Sequence, residues 1–87
     1  MRANLETLVA VARKHGTATA SEGRWRARLN HGDVMVYHYS TLMLAVGPDD
    51  EVTPICMGYG SMTDKCGIRK VLRNVNGKGY AEVYSGF

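Results

Sequence analysis

Arginines alternate with apolar residues in the stretch RWRARL, so that Arg24, Arg26 and Arg28 stand two apart with Trp25, Ala27 and Leu29 between them. In an extended chain successive side chains point to opposite faces. Three guanidiniums would therefore line one face about 6.6 to 6.8 Å from one another, a spacing comparable with phosphates along a nucleic-acid strand. The plainer reading has the arginines solvating the open face of an antiparallel sheet while Trp25 fills the core. A second basic stripe is formed by Lys65, Arg69 and Arg73, which fall at i, i+4 and i+8 of a helical pattern with Lys70 beside them. That stripe also reads as a solvated face, and basic residues near a helix C-terminus complement its dipole.

Residues able to bind metal or act as nucleophiles are few. His31, His38, Cys56 and Cys66 are the candidate soft ligands, and none stands in a C-x-x-C or H-x-x-x-H arrangement. Cys66 follows Lys65 near the start of a helix, where dipole and cation favour a thiolate, yet no histidine is placed by sequence to activate it. The acids of PDDE sit at a turn tip, where carboxylates are normally solvated. Neither a paired-carboxylate nor a Ser/His/Asp pattern emerges. These observations lead to the expectation of no enzyme activity, no catalytic residue, no metal and no cofactor.

The stretch GYGSMTDKCGIRKVLRN, residues 58 to 74, has the outline of a phosphate loop but fails on spacing. A dinucleotide fingerprint requires a third glycine where Thr63 stands, and a P-loop has different spacing before its lysine. Asp64 would also repel phosphate at the helix start. Ser61 and Asp64 instead form an S-x-x-D capping box. Ile68, Val71, Leu72 and Val75 then recur at helical spacing, with Gly67 costing about 1 kcal/mol relative to alanine.

The elements that must position these residues follow from periodicity. Leu5, Leu8, Val9 and Ala12 predict a helix over 4 to 15, capped by Asn4 and ended by Gly16. The small residues of GTATASEG predict a flexible connector over 17 to 23. A half-buried strand follows from Arg24, then a hairpin turn at NHGD and a second strand at VMVYHY. Ser40 and Thr41 mark a bend or continue that strand. TLMLAV, apolar on both faces, predicts a central strand covered on each side. GPDDE turns the chain, and Pro54 pushes VTPICM toward an edge or a bulge. A helix over 62 to 74, a turn at NGKG and a last strand at YAEVY complete the pattern. The expected fold is α+β, a single domain over 1 to 87. It has an N-terminal helix, an antiparallel sheet of about five strands, and one helix between strands four and five.

A chain of 87 residues with 45% apolar and 22% charged residues is that of an ordinary small globular domain. Net charge +3 tilts it mildly toward anionic partners. Two cysteines are too few for a disulfide-dependent secreted domain, which favours a reducing cytosol. The N-terminal stretch is interrupted by Glu6 and Thr7, unlike a signal peptide, and the apolar run Leu42 to Val46 is far too short to span a bilayer.

The segment YHYSTLMLAVGPDDEVTPICMGYGSMTDKCGIRKVL, Tyr37 to Leu72, resembles a pattern in small accessory proteins of tailed bacteriophages. There an aromatic-x-threonine strand leads through a turn and another strand to a serine- or threonine-capped basic helix. Where such proteins carry adjacent threonines before the helix, this chain has Met62 between Ser61 and Thr63. The resemblance implies a phage accessory protein acting in the bacterial host cytoplasm, and it supplies no catalytic residues. The leading expectation is a non-enzymatic, host-modulating interaction protein that binds a host or phage protein. Its binding residues would be Arg24, Arg26, Arg28, Tyr37, Lys65, Arg69 and Arg73. In a protein-directed binder, exposed aromatics such as Tyr37 or Tyr80 would anchor the contact. The alternative is a nucleic-acid-binding domain using the basic strand and helix.

Overall fold

The computed structural model describes residues 1–55, 62–72 and 75. Ser61 of the capping box, Cys56, Arg73, Tyr80, the NGKG turn and the YAEVY strand lie outside the described residues. Within them the fold is α+β. An N-terminal helical segment is followed by a five-stranded antiparallel sheet and then a second helix.

The chain enters through the 3-10 turn Leu5–Thr7 and continues as α1, Leu8–His15. Asn4 caps as its residue type predicts. Thr7 N–H donates to Asn4 Oδ1 at 2.9 Å, sharing it with the Asn4 carbonyl at 3.2 Å, and Asn4 N–H donates to Thr7 Oγ1 at 3.2 Å, a reciprocal box at the start of the helical segment. Gly16, at φ 86°, ends α1 in the left-handed region, and its N–H reaches the Ala12 carbonyl at 2.7 Å.

The strands are β1 (Thr17–Ala20), β2 (Trp25–Asn30), β3 (Asp33–His38), β4 (Thr41–Val46) and β5 (Val52–Pro54), paired in that order. The loop or connector expected over 17 to 23 is corrected over Thr17–Ala20, which is a strand, and holds for Ser21 to Gly23, which form the turn to β2. The small residues of β1 give little local signal. Ala18 and Ala20 face the core opposite Ala27 and Trp25, and ladder pairing to β2 holds them extended. Met1 to Ala3 cover the far edge of β1, where Ala3 N–H donates to Thr19 O and Thr19 N–H to Met1 O, each at 2.8 Å. Among the described residues the opposite edge is β5, which is short and carries Pro54.

His31 and Gly32, at φ 52° and 87°, form the two-residue turn between β2 and β3, the primed geometry that matches strand twist. Tyr39 and Ser40 form another between β3 and β4, so the bend and not the continuation is realised there.

β4 lies inside the sheet as expected, but its apolarity has a different cause from cover on both faces. The register shifts between Val36 and Tyr37, which pair with Leu44 and Leu42, leaving Met43 as an extra residue in a bulge. Met43 and Leu44 are consecutive and both buried. The bulge thus spends two neighbouring apolar residues on one core.

Among the described residues that core lies on one side of the sheet. α1 packs against β1, β2 and β3 through Leu8, Val9 and Ala12. α2, Met62–Leu72, packs against the 3-10 turn, with Ile68, Val71 and Leu72 buried and Val75 just beyond it. Each fully buried leucine of this kind contributes about 1.5 to 3 kcal/mol by removal from water. Arg13 ties α1 to the β4–β5 turn, donating from Nη2 to the Gly47 carbonyl at 2.8 Å and pairing with Asp50. Asp50 is therefore engaged in the fold, unlike the solvated acid expected at a turn tip.

Candidate binding face

Cross-strand register arranges the side of the sheet opposite the core into rows. One row runs Thr19, Arg26, Tyr37, Leu42, and its neighbour runs Thr17, Arg28, Met35, Ala45, Thr53. Trp25 and Ala27, alternating with the arginines, are buried beneath, as period-two alternation requires. Neither row contains an acidic residue. Arg26 and Arg28 are exposed while Tyr37 and Met35 are half-buried, so the arginines stand up from the floor that the others form. Thr17, Thr19, Arg26, Arg28 and Tyr37 border a shallow hollow of about 370 Å³.

Arg24 lies just before β2 in the turn that follows Ser21. Its carbonyl accepts from Tyr39 N–H at 2.7 Å, so the backbone ladder continues one pair beyond Trp25. Its guanidinium stands 3.9 Å from Glu22, a loose and exposed pair worth little in water. Arg26 donates from Nη2 to the Tyr39 carbonyl at 3.2 Å. The arginine series therefore leads toward the β3–β4 turn, where Tyr39 is 61% exposed.

Tyr39 is a residue that the sequence reading missed. At φ 57° it holds the left-handed region that a bulky side chain seldom adopts. Its ring lies 4.7 Å from that of His38, which is itself stacked on Trp25 at 4.2 Å with 12° between planes. The available signal was the two-residue spacing, Tyr39 and Ser40, between the strand runs VMVYH and TLMLAV, which marks a hairpin turn.

Among the described residues, the exposed cations of α2 and the strand arginines lie on different sides of the sheet. α2 approaches the sheet from the core side, where Gly67 lies against Trp25, and the strand arginines point away from that side. Arg69 and Lys70 are exposed on α2, and Lys65 belongs to the same helix by its backbone. Arg24, Arg26, Arg28 and Tyr37 are brought together, and Lys65 and Arg69 belong to another side of the molecule.

His31 and His38 flank β3 at opposite ends. Among the described residues no three histidine, cysteine, aspartate or glutamate side chains cluster as a metal site would need, and no helix is long and apolar enough to cross a membrane. Comparison with protein-family models, curated proteins and solved structures finds no match to this chain.

Proposed function

We propose that this is a non-enzymatic interaction protein that binds a host or phage macromolecule across the open face of its sheet. On this reading it is a phage-encoded accessory protein acting in the bacterial cytoplasm. The observation that carries the reading is the asymmetry of the sheet. Both helices pack on the Trp25 side, and among the described residues the Arg26 and Arg28 side has no helix packed on it. The polar groups there are guanidiniums, threonine hydroxyls and a phenol. A guanidinium stays protonated and cannot serve as a general base, so the face is suited to holding an anionic or hydrogen-bonding surface and not to moving protons.

Affinity capture from bacterial lysate tests it, run in parallel with and without nuclease on the parent protein and on an Arg26→Gln, Arg28→Gln double variant. The double variant is expected to fold as the parent does and to lose the retained partner. An identical captured set from both proteins overturns the reading.

A further inference from the structure

The open face carries enough chemistry to specify what kind of macromolecule it receives, if the reading above holds. We propose that the partner is a single-stranded nucleic acid, its phosphates over Arg24, Arg26 and Arg28 and a base stacked on Tyr39.

Charge is the first argument. The two rows of the face offer Arg26, Arg28 and hydroxyls with no carboxylate among them, and the one acid paired with Arg24, Glu22, stands 3.9 Å away in a loose, exposed contact. Exposed aromatic surface is the second. Tyr39 is one of three large apolar side chains that are well exposed among the described residues, with Met1 and Ile55, and the only aromatic of the three. Its backbone stands at the end of the arginine series, its N–H donating to the Arg24 carbonyl and its own carbonyl accepting from the Arg26 guanidinium, while one side of its ring lies against His38. Ordered arginines beside an exposed ring are what a sequence-tolerant strand binder needs, because every base has a face to stack and every nucleotide a phosphate to pair.

Backbone strain is the third argument. A tyrosine at φ 57° in a two-residue turn occupies a place that glycine would fill at lower cost. The contact with His38 accounts for one side of the ring, and its 61% exposure leaves surface on which a base can stack.

The alternatives fit less well. A protein strand added at an edge is opposed by Met1 to Ala3 on β1 and by the short, proline-bearing β5. A protein docked on the face would take its anchors from Tyr37 and Met35 on the central strand, but both are half-buried in the floor and the groups that stand up from it are the guanidiniums of Arg26 and Arg28. Duplex hides its bases in the stack and leaves Tyr39 without a role.

The test is fluorescence anisotropy with labelled oligothymidylate, an unstructured RNA of the same length and a duplex, at low and physiological salt. Single strands are expected to bind better than duplex. Three phosphate contacts give a salt slope of roughly two, at about 0.7 per contact. Arg26→Gln with Arg28→Gln should weaken binding and flatten that slope. Tyr39→Gly, which suits the left-handed backbone and so keeps the fold, should lower affinity roughly 5- to 100-fold with the slope unchanged. Equal binding of duplex, an undiminished affinity in Tyr39→Gly, or no binding at low salt with tens of micromolar protein overturns the assignment. If oligonucleotides fail while the arginine double variant still loses a captured protein, the strand-binding assignment falls and the open-face reading stands. If the double variant alters neither, both fall.

Discussion

Gly67 lies directly against the indole of Trp25. A methyl group placed on Gly67 would come within 2.7 Å of Cε2 and 2.9 Å of Cη2, and closer still to Cζ2. The glycine that weakens the helical pattern in isolation is thus what lets α2 approach a side chain only 2% exposed. Helix propensity alone predicts that Gly67→Ala gains about 1 kcal/mol. The contact predicts the reverse, a net loss of about 1 to 3 kcal/mol from overpacking against a ring that cannot retreat. Urea denaturation followed by fluorescence of the single tryptophan measures it. Combining Gly67→Ala with Trp25→Leu should cost less than the two changes added together, and simple additivity would refute the direct contact.

Arg13→Met is expected to destabilise by about 1 kcal/mol. It removes a charged hydrogen bond to the Gly47 carbonyl together with the pair to Asp50, and both partners of that pair are part-exposed. Asp50→Asn should cost less, because the Gly47 bond remains and asparagine tolerates the positive φ of 64° at that position. Equilibrium unfolding in low salt and in 1 M salt, on the order of a 3 Å screening length, separates the two contributions. The Asp50 part should shrink in high salt and the Gly47 part should persist.

Asn4→Ala should lower stability by about 0.5 to 2 kcal/mol through loss of the reciprocal box with Thr7. Asn4→Ser, which keeps a cap acceptor, should recover most of it. Thermal melts of the three proteins provide the comparison, and equal melting of Asn4→Ala and the parent would show that the box contributes nothing.

Because α2 approaches from the core side, Lys70→Gln should leave binding at the open sheet face within about twofold of the parent at physiological salt, where distant exposed charges are screened. Titration of the partner against both proteins checks this. A loss as large as that of the arginine double variant would mean that helix and sheet share one site.

Elements whose signal is local were legible in the sequence. Period-two alternation in RWRARL placed Trp25 inside and Arg26 and Arg28 outside, and Asn4, Gly16, the NHGD turn and Pro54 each act where their backbone chemistry puts them. Features that depend on a distant partner were not legible. Thr17–Ala20 has no large side chain to announce a strand and is extended because β2 and Met1 to Ala3 flank it. Asp50 is recruited by an arginine far away in sequence, and the value of Gly67 lies in a tryptophan that the helical pattern does not contain. In the candidate site, alternation joined Arg26, Arg28 and Tyr37 correctly. Tyr39 escaped because YHYST can be continued as a strand, and whether the two basic stripes meet is decided by tertiary packing alone.

The strands meet in the sheet in the order in which they are synthesised, with two-residue turns joining β2 to β3 and β3 to β4. Closing such short loops costs little chain entropy, so the meander is a fast-forming unit. The ties across long separations, Arg13 to Gly47, 34 residues apart, and Gly67 against Trp25, farther still, are expected to form after it. Bonds made after the folding barrier act as latches. Weakening either should leave the speed of folding nearly untouched and shorten the time the finished molecule survives before it opens.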